Sequence, residues 1–119
     1  MLRFAVLVLT GVPICIAAMA LADQAPDLRS PQVVQRGQAL FSETCTYCHG
    51  DGGAGGSSGA PGLLGRTDLG AEDIFGTISN GRIRGTNIMP SWKDALSESD
   101  RWALTAYILS MTGSPPGTR

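Results

Sequence analysis

Residues 45–49 read C-T-Y-C-H, and no other part of this 119-residue chain constrains its fold as strongly. The spacing C-x-x-C-H lets two thiols react with the vinyl groups of a haem while the adjoining imidazole reaches the iron. A covalently held haem offers a large apolar surface for packing, so the chain is expected to wrap around it. The motif therefore predicts one haem attached through Cys45 and Cys48, with His49 bound to the iron.

Two other kinds of site contain a C-x-x-C pair, namely a thioredoxin-like redox pair and a zinc site. A structural zinc site needs more Cys or His ligands, but His49 is the only histidine and Cys15 lies in the hydrophobic N-terminal segment. A thioredoxin-like pair opens a helix after a buried strand, whereas this motif follows an amphipathic helical stretch and precedes a run of glycines. These surroundings favour haem attachment over both alternatives.

The N-terminal segment, residues 1–22, has the organisation of a secretory signal peptide. A charged start is followed by an apolar run from Phe4 to Met19 and then by the cleavage pattern A-L-A. We expect cleavage after Ala22 and export to the bacterial periplasm, with no stable membrane insertion afterwards. A retained anchor is the alternative, although the run contains Pro13 and falls short of the ~20 residues that span a bilayer.

The remaining chain is long enough for one small domain. Its composition predicts a flexible lead-in at residues 23–30, the domain itself at 31–113 and a disordered tail at 114–119. The whole chain has 9 Lys and Arg against 10 Asp and Glu, and Lys93 is the only lysine. Such a balance argues against a nucleic-acid partner and against a partner that docks through a ring of lysines.

Hydrophobic spacing predicts an all-α fold with three main helices around the haem, because no stretch shows sustained strand alternation. The first helix starts at Pro31, at a position proline favours, and leads into the haem motif. The second covers about Ala71 to Asn80. The third begins at Ser97, which is spaced as a helix cap, and stops at Gly113.

A second iron ligand must come from elsewhere in the chain, and outside the signal segment the only methionines are Met89 and Met111. Met111 lies on the last helix, where its spacing from Tyr107 and Ile108 predicts a core residue. Met89 lies between two predicted helices, in a loop that Pro90 would stiffen. Met89 is therefore predicted as the second ligand; an open iron, a lysine ligand and a packing role for Met89 remain alternatives.

From Ser30 to Gly113 the chain resembles the class I bacterial c-type cytochromes, which are small, carry a single haem and bind its iron through His and Met. The matching features are Gly37 and Phe41 in the first helix, the C-T-Y-C-H motif, the Met89-Pro90 segment, and a last helix that carries Leu104 and Tyr107.

This resemblance implies contacts that the structure can test. The first and last helices of the family cross closely, and Gly37 would lie at the crossing with Phe41 and Tyr107 beside it. Pro61 corresponds to the family's proline whose carbonyl accepts a hydrogen bond from the proximal histidine, here from Nδ1–H of His49.

Haem propionates need polar partners, and the expected ones are Arg82, Arg84 and Trp92, with Arg66 and Asn87 as further candidates. The chain lacks a tryptophan between His49 and Met89 that would bond a propionate, and it lacks the lysine-rich surface of the mitochondrial relatives.

The resemblance implies an electron-transfer protein rather than an enzyme, since no pair of carboxylates or Ser-His arrangement is available for catalysis. Its expected donors are a dehydrogenase or a respiratory complex, and its expected acceptors are an oxidase or another cytochrome. One alternative is a cytochrome subunit or dedicated acceptor of a periplasmic dehydrogenase, for example a quinoprotein alcohol dehydrogenase. A ligand-binding sensor or a peroxidase-like protein is a further alternative, and it would require an open iron.

Overall fold

The computed structural model describes residues 26–113. The predicted signal peptide, the start of the lead-in and the predicted tail lie outside the described residues. The elements, in chain order, are α1 (Pro31–Thr44), α2 (Thr46–His49), a 3-10 turn (Asp51–Gly53), α3 (Ala71–Asn80), β1 (Arg82–Arg84), β2 (Asn87–Met89) and α4 (Glu98–Thr112).

Helices α1 and α4 cross at Gly37, which is buried. A Cβ added at this position would overlap the carbonyl group of Ala103 and would lie 2.8 Å from Cβ of Tyr107, so only glycine permits this approach. Beside the crossing, the rings of Phe41 and Tyr107 meet edge to face with their centroids 5.4 Å apart. The helix crossing expected from the resemblance is thereby confirmed.

The hydrophobic core lies between α1, α3 and α4. Its largest fully buried apolar side chains are Phe41 and Leu104, each 1% exposed. Met111 packs against this core, and its sulfur lies close to Gly53, where an added Cβ would overlap it. Met111 is thus half-buried against the core and not one of its buried members, so the predicted packing contact is present without full burial.

The ends of α1, α3 and α4 agree with the sequence, and of these three helices only α4 has a side-chain cap at its start. The hydroxyl of Ser97 accepts a hydrogen bond from the backbone N–H of Asp100 at 3.1 Å, as a helix cap should, and Gly113 ends α4 in the left-handed conformation. Ser30 precedes α1, but its hydroxyl bonds the side chain of Gln32 rather than a backbone N–H. Helix α3 starts after Gly70 without any side-chain cap.

A small hairpin departs from the purely helical prediction. Strands β1 and β2 pair antiparallel, with Arg82 opposite Met89, Ile83 opposite Ile88 and Arg84 opposite Asn87. Met89 is therefore the last residue of a strand and not part of an irregular loop. Each strand has three residues, which is too short for alternation to stand out in the sequence. The rest of the regular structure is helical, so the fold class is as predicted.

Between residues 26 and 113, the structure contains no helix with the length and apolar character that crossing a membrane would require.

Candidate functional site

The C-T-Y-C-H motif forms a tight turn that continues α1 into α2. The backbone N–H of Cys45 bonds the carbonyl of Phe41 at 2.8 Å, and the N–H of His49 bonds the carbonyl of Cys45 at 2.9 Å. This helical geometry brings Cys45, Cys48 and His49 onto neighbouring positions of one turn. Both cysteines are half-buried free thiols rather than a disulfide.

The Cys45 thiol lies in surroundings that disfavour its charged form. Burial, together with the nearby Cys48, raises the pKa of the Cys45 thiol to about 11. In the chain without haem, Cys45 is therefore protonated at neutral pH.

The imidazole of His49 is oriented by the segment that comes after the glycine run. Its Nδ1 lies 3.1 Å from the carbonyl oxygen of Pro61. A carbonyl can only accept, so Nδ1 carries the proton in this contact and Nε2 presents its lone pair. The ring also lies near Phe41, with a centroid separation of 6.5 Å. The structure thus contains the His49–Pro61 contact that the resemblance implied, in the geometry that prepares an imidazole for a metal.

Met89 is half-buried and packs against the edge of the core. The turn before the hairpin approaches it closely, because a Cβ added at Gly81 would lie 2.6 Å from the Met89 carbonyl oxygen and 2.9 Å from the Ser91 nitrogen. Gly81 also has a positive φ of 73°, which other residues rarely adopt. This glycine allows α3 to end directly against the segment that carries Met89.

Two hydrogen bonds connect the segment after Met89 to α3, and neither was predicted from the sequence. The hydroxyl of Ser91 donates to the Ser79 carbonyl at 2.6 Å, and the N–H of Trp92 donates to the Ile78 carbonyl at 3.0 Å. Both acceptors lie in the last turn of α3, where carbonyls have no partner within the helix. No pattern in the sequence links these positions, since the contacts depend on how the two segments pack.

Of the residues expected to bind propionates, Arg82 and Arg84 lie where they share a strand face with Met89. Side chains alternate along β1 and β2, so the register places Arg82, Arg84, Asn87 and Met89 on one face. Both arginines are exposed, and the side-chain amide of Asn87 donates to the Gly59 carbonyl at 3.3 Å. The hairpin therefore groups polar side chains around Met89.

The other two candidates have different surroundings. Trp92 is half-buried and packs against the core. Arg66 bonds Asp68, with 2.9 Å between its Nε and the carboxylate, and this hydrogen bond lowers the pKa of Asp68.

The opposite face of the hairpin carries Ile83 and Ile88 as a directly paired, exposed couple, at 72% and 71% exposure. Sequence reasoning missed this couple because it did not identify the strands. The short patterns R-I-R and N-I-M were the available signal.

The donor groups of the site suit a haem. Residues 26–113 hold no group of three or more His, Cys, Asp or Glu side chains that could bind a metal ion. They do hold two free thiols one turn apart, an imidazole with Nε2 available and a half-buried thioether. Thiols for covalent attachment and one nitrogen plus one soft sulfur for the iron are the groups that haem c takes.

Comparison with known proteins points the same way. The family described as "Cytochrome C oxidase, cbb3-type, subunit III" matches residues 32–108. One similar protein is the Cbb3-type cytochrome c oxidase subunit FixP of Bradyrhizobium diazoefficiens, which is 38% identical over 82 residues. That alignment covers 66% of this chain and 27% of FixP, so the chain spans about a quarter of the length of that relative.

Two solved structures share the fold. The c-type cytochrome XoxG from Methylobacterium extorquens AM1 superposes with a TM-score of 0.58 at 23% identity, over 73% of this chain and 55% of that chain. Cytochrome cL from the marine methylotroph Methylophaga aminisulfidivorans gives a TM-score of 0.57 at 20% identity, over 70% of this chain and 55% of that chain. At these identities the likeness establishes the fold, which is that of c-type cytochromes.

Proposed function

Because the chain belongs to the family of cbb3-type cytochrome c oxidase subunit III, and is a class I c-type cytochrome, we propose that it carries one electron on a single haem c in the bacterial periplasm. The haem would be attached through Cys45 and Cys48 and held by His49 and Met89. The observation that carries the proposal is the Nδ1 contact of His49 with Pro61, which leaves Nε2 directed away for the iron.

Each residue of the site has a distinct part in this proposal. Cys45 and Cys48 fix the haem so that it is not lost between partners. Pro61 holds the His49 ring in one orientation and increases its basicity. Met89 supplies a soft sulfur, which favours the ferrous over the ferric state. When bound, the haem supplies the one-electron chemistry itself.

The chain would act as an electron carrier and not as an enzyme. A carrier needs its ligands kept in both oxidation states, and the hydrogen bonds on either side of the candidate site provide that rigidity. Arg82 and Arg84 would supply positive charge for the propionates, since their strand face also carries Met89.

The proposed partners are redox proteins. The similar FixP is a subunit of a cytochrome c oxidase by name, so an oxidase is the first acceptor to test. A dehydrogenase or a respiratory complex would be the donor. The chain spans about a quarter of FixP, so we propose transfer of electrons to an oxidase and not the activity of the whole relative.

The test is an optical spectrum of the exported protein in the oxidised and reduced states. The proposal predicts low-spin ferrous bands, the weak near-infrared band of an Fe(III)–S(Met) bond, and no spectral change when carbon monoxide is added. A high-spin spectrum that changes with carbon monoxide would contradict Met89 ligation and favour a ligand-binding or peroxidase-like protein.

A further inference from the structure

Arg101 brings a positive charge into the protein interior, where the residue is only 8% exposed. It takes part in neither the Arg36–Asp100 nor the Arg66–Asp68 ion pair. Its Nη1 donates to the hydroxyl of Ser79 at 2.8 Å, and its guanidinium lies 5.2 Å from the centroid of the Phe75 ring. Burying a charge is costly, so a cation placed here needs a physical reason.

The C-terminal end of α3 explains why a cation is buried here. The last carbonyls of a helix lack partners and form the negative end of its dipole, which a cation stabilises. Helix α3 has no basic residue in its own last turn. Arg101, from the first turn of α4, brings a guanidinium to Ser79 in that last turn and so supplies the missing positive charge.

Ser79 also contacts the segment that follows Met89. Its carbonyl accepts the 2.6 Å hydrogen bond from Ser91, and the adjacent carbonyl of Ile78 accepts from the Trp92 N–H. Only Pro90 separates Ser91 from Met89, and a proline ring removes one torsional freedom and restricts the residue before it. A shift of Ser79 would therefore move the backbone of Met89.

We propose that Arg101 is a positioning residue for Met89, acting through Ser79 and Ser91. Its guanidinium fixes the last turn of α3, and that turn fixes the strand end from which the thioether extends. This inference rests on the proposed function, in which Met89 binds the iron. Loss of the Arg101 contact should therefore make Met89 leave the iron more readily while His49 remains bound.

The experiment measures how fast imidazole binds to the ferric protein, because imidazole can bind only when Met89 has left. Arg101→Met removes the hydrogen bond to the Ser79 hydroxyl, and Ser91→Ala removes the hydrogen bond to the Ser79 carbonyl. Ser110→Ala is the matched control, since the Ser110 hydroxyl also donates to a backbone carbonyl, that of Tyr107, at 2.6 Å.

Loss of a neutral hydrogen bond should accelerate imidazole binding about 3- to 10-fold in Ser91→Ala, and loss of a charged one about 10-fold or more in Arg101→Met. Ser110→Ala should bind at the wild-type rate. Arg101→Lys, which retains the charge without the planar fork, should fall between wild type and Arg101→Met.

A second readout does not involve the iron. Hydrogen exchange at the Trp92 N–H, which bonds the Ile78 carbonyl, should become faster in Arg101→Met and Ser91→Ala and stay unchanged in Ser110→Ala. A residue with a merely structural role would lower global stability without selectively affecting either readout.

Unchanged imidazole rates and Trp92 exchange in both variants would overturn the inference while leaving the proposed function intact. If Arg101→Met does not fold, Arg101→Lys decides the result, because it retains the positive charge and loses the planar fork that donates to Ser79; wild-type imidazole rates and Trp92 exchange in Arg101→Lys would then overturn the inference. The wild-type ferric spectrum is recorded first. Absence of the Fe(III)–S(Met) band there would refute Met89 ligation, and with it the positioning role of Arg101.

Discussion

On the His49 side of the site, one short stretch of chain supplies both the motif and its support. Cys45 to His49 form a single turn, and the carbonyl that orients the imidazole comes from Pro61, 12 residues further on. On the other side, Met89 is the last residue of a hairpin, the end of α3 holds the residues that follow it, and Arg101 reaches Ser79 across 22 positions of sequence.

Local contacts therefore position His49, whereas contacts between segments distant in sequence position Met89. A turn and one nearby hydrogen bond form whenever their own segment folds, whereas the Met89 side needs α3 and α4 to be packed first. Local unfolding begins where stability depends on few and distant contacts. We therefore expect the Met89 side to open before the His49 side.

The largest expected effect comes from removing both thiols on the His49 side. The double variant Cys45→Ala/Cys48→Ala should carry no covalent haem, because no other described residue can form a thioether bond to the vinyl groups. Haem staining after denaturing electrophoresis measures this. Cys15→Ala is the control and should stain as wild type does. Staining retained by the double variant would contradict the assignment of the motif.

Substitution of Met89 tests the Met89 side of the site, because it removes the thioether. Met89→Ala should lose the Fe(III)–S(Met) band, lower the reduction potential and gain affinity for carbon monoxide, since sulfur favours the ferrous iron and also blocks the site. Met111→Leu is the matched control, because it changes a methionine that packs on the core. It should keep the spectrum and cost less than about 1.5 kcal/mol in the free energy of unfolding. The reverse result would transfer the ligand role to Met111.

A smaller effect is expected where α1, which leads into the His49 side, crosses α4. In Gly37→Ala the added methyl group would overlap the Ala103 carbonyl and should reduce the free energy of unfolding by about 1–3 kcal/mol. Chemical denaturation measures the loss.

Gly76→Ala provides the comparison for that variant, because Gly76 lies within α3 and an added Cβ meets nothing within 4 Å. It should be neutral or stabilising by up to about 1 kcal/mol. Equal losses of unfolding free energy in Gly37→Ala and Gly76→Ala would mean that the close crossing of α1 and α4 is not the cause of the loss at Gly37.

The smallest effect is expected at the exposed pair of Arg66 and Asp68, which lies between Pro61 and α3. Arg66 lowers the pKa of Asp68, so the pair contributes only while Asp68 is ionised. Any advantage of wild type over Asp68→Asn should be slight at neutral pH and should disappear as the pH falls through this lowered pKa. Unfolding at several pH values measures it; a large difference that persists in acid would exclude the ion pair as its source.

The predictions from sequence were most successful where a few neighbouring residues decide the outcome. The bounds of α3, the Ser97 cap of α4 and the Gly113 end were predictable from periodicity and capping chemistry. The C-T-Y-C-H motif could be recognised because its spacing is the one that haem attachment requires; the attachment itself stays a prediction. The hairpin was missed because three residues per strand give too little alternation to be seen.

The amino-acid sequence alone was enough to identify the C-T-Y-C-H motif, to name Met89 and Met111 as the methionines outside the signal segment, and to predict the helices that arise from local preference. Packing in three dimensions was needed to place Gly37 against Ala103, to make Met89 the end of a strand, and to bring a buried Arg101 to the last turn of α3. The physical reason is distance along the chain. Spacing and capping are encoded within one or two turns, whereas these contacts exist only after packing has brought remote segments together.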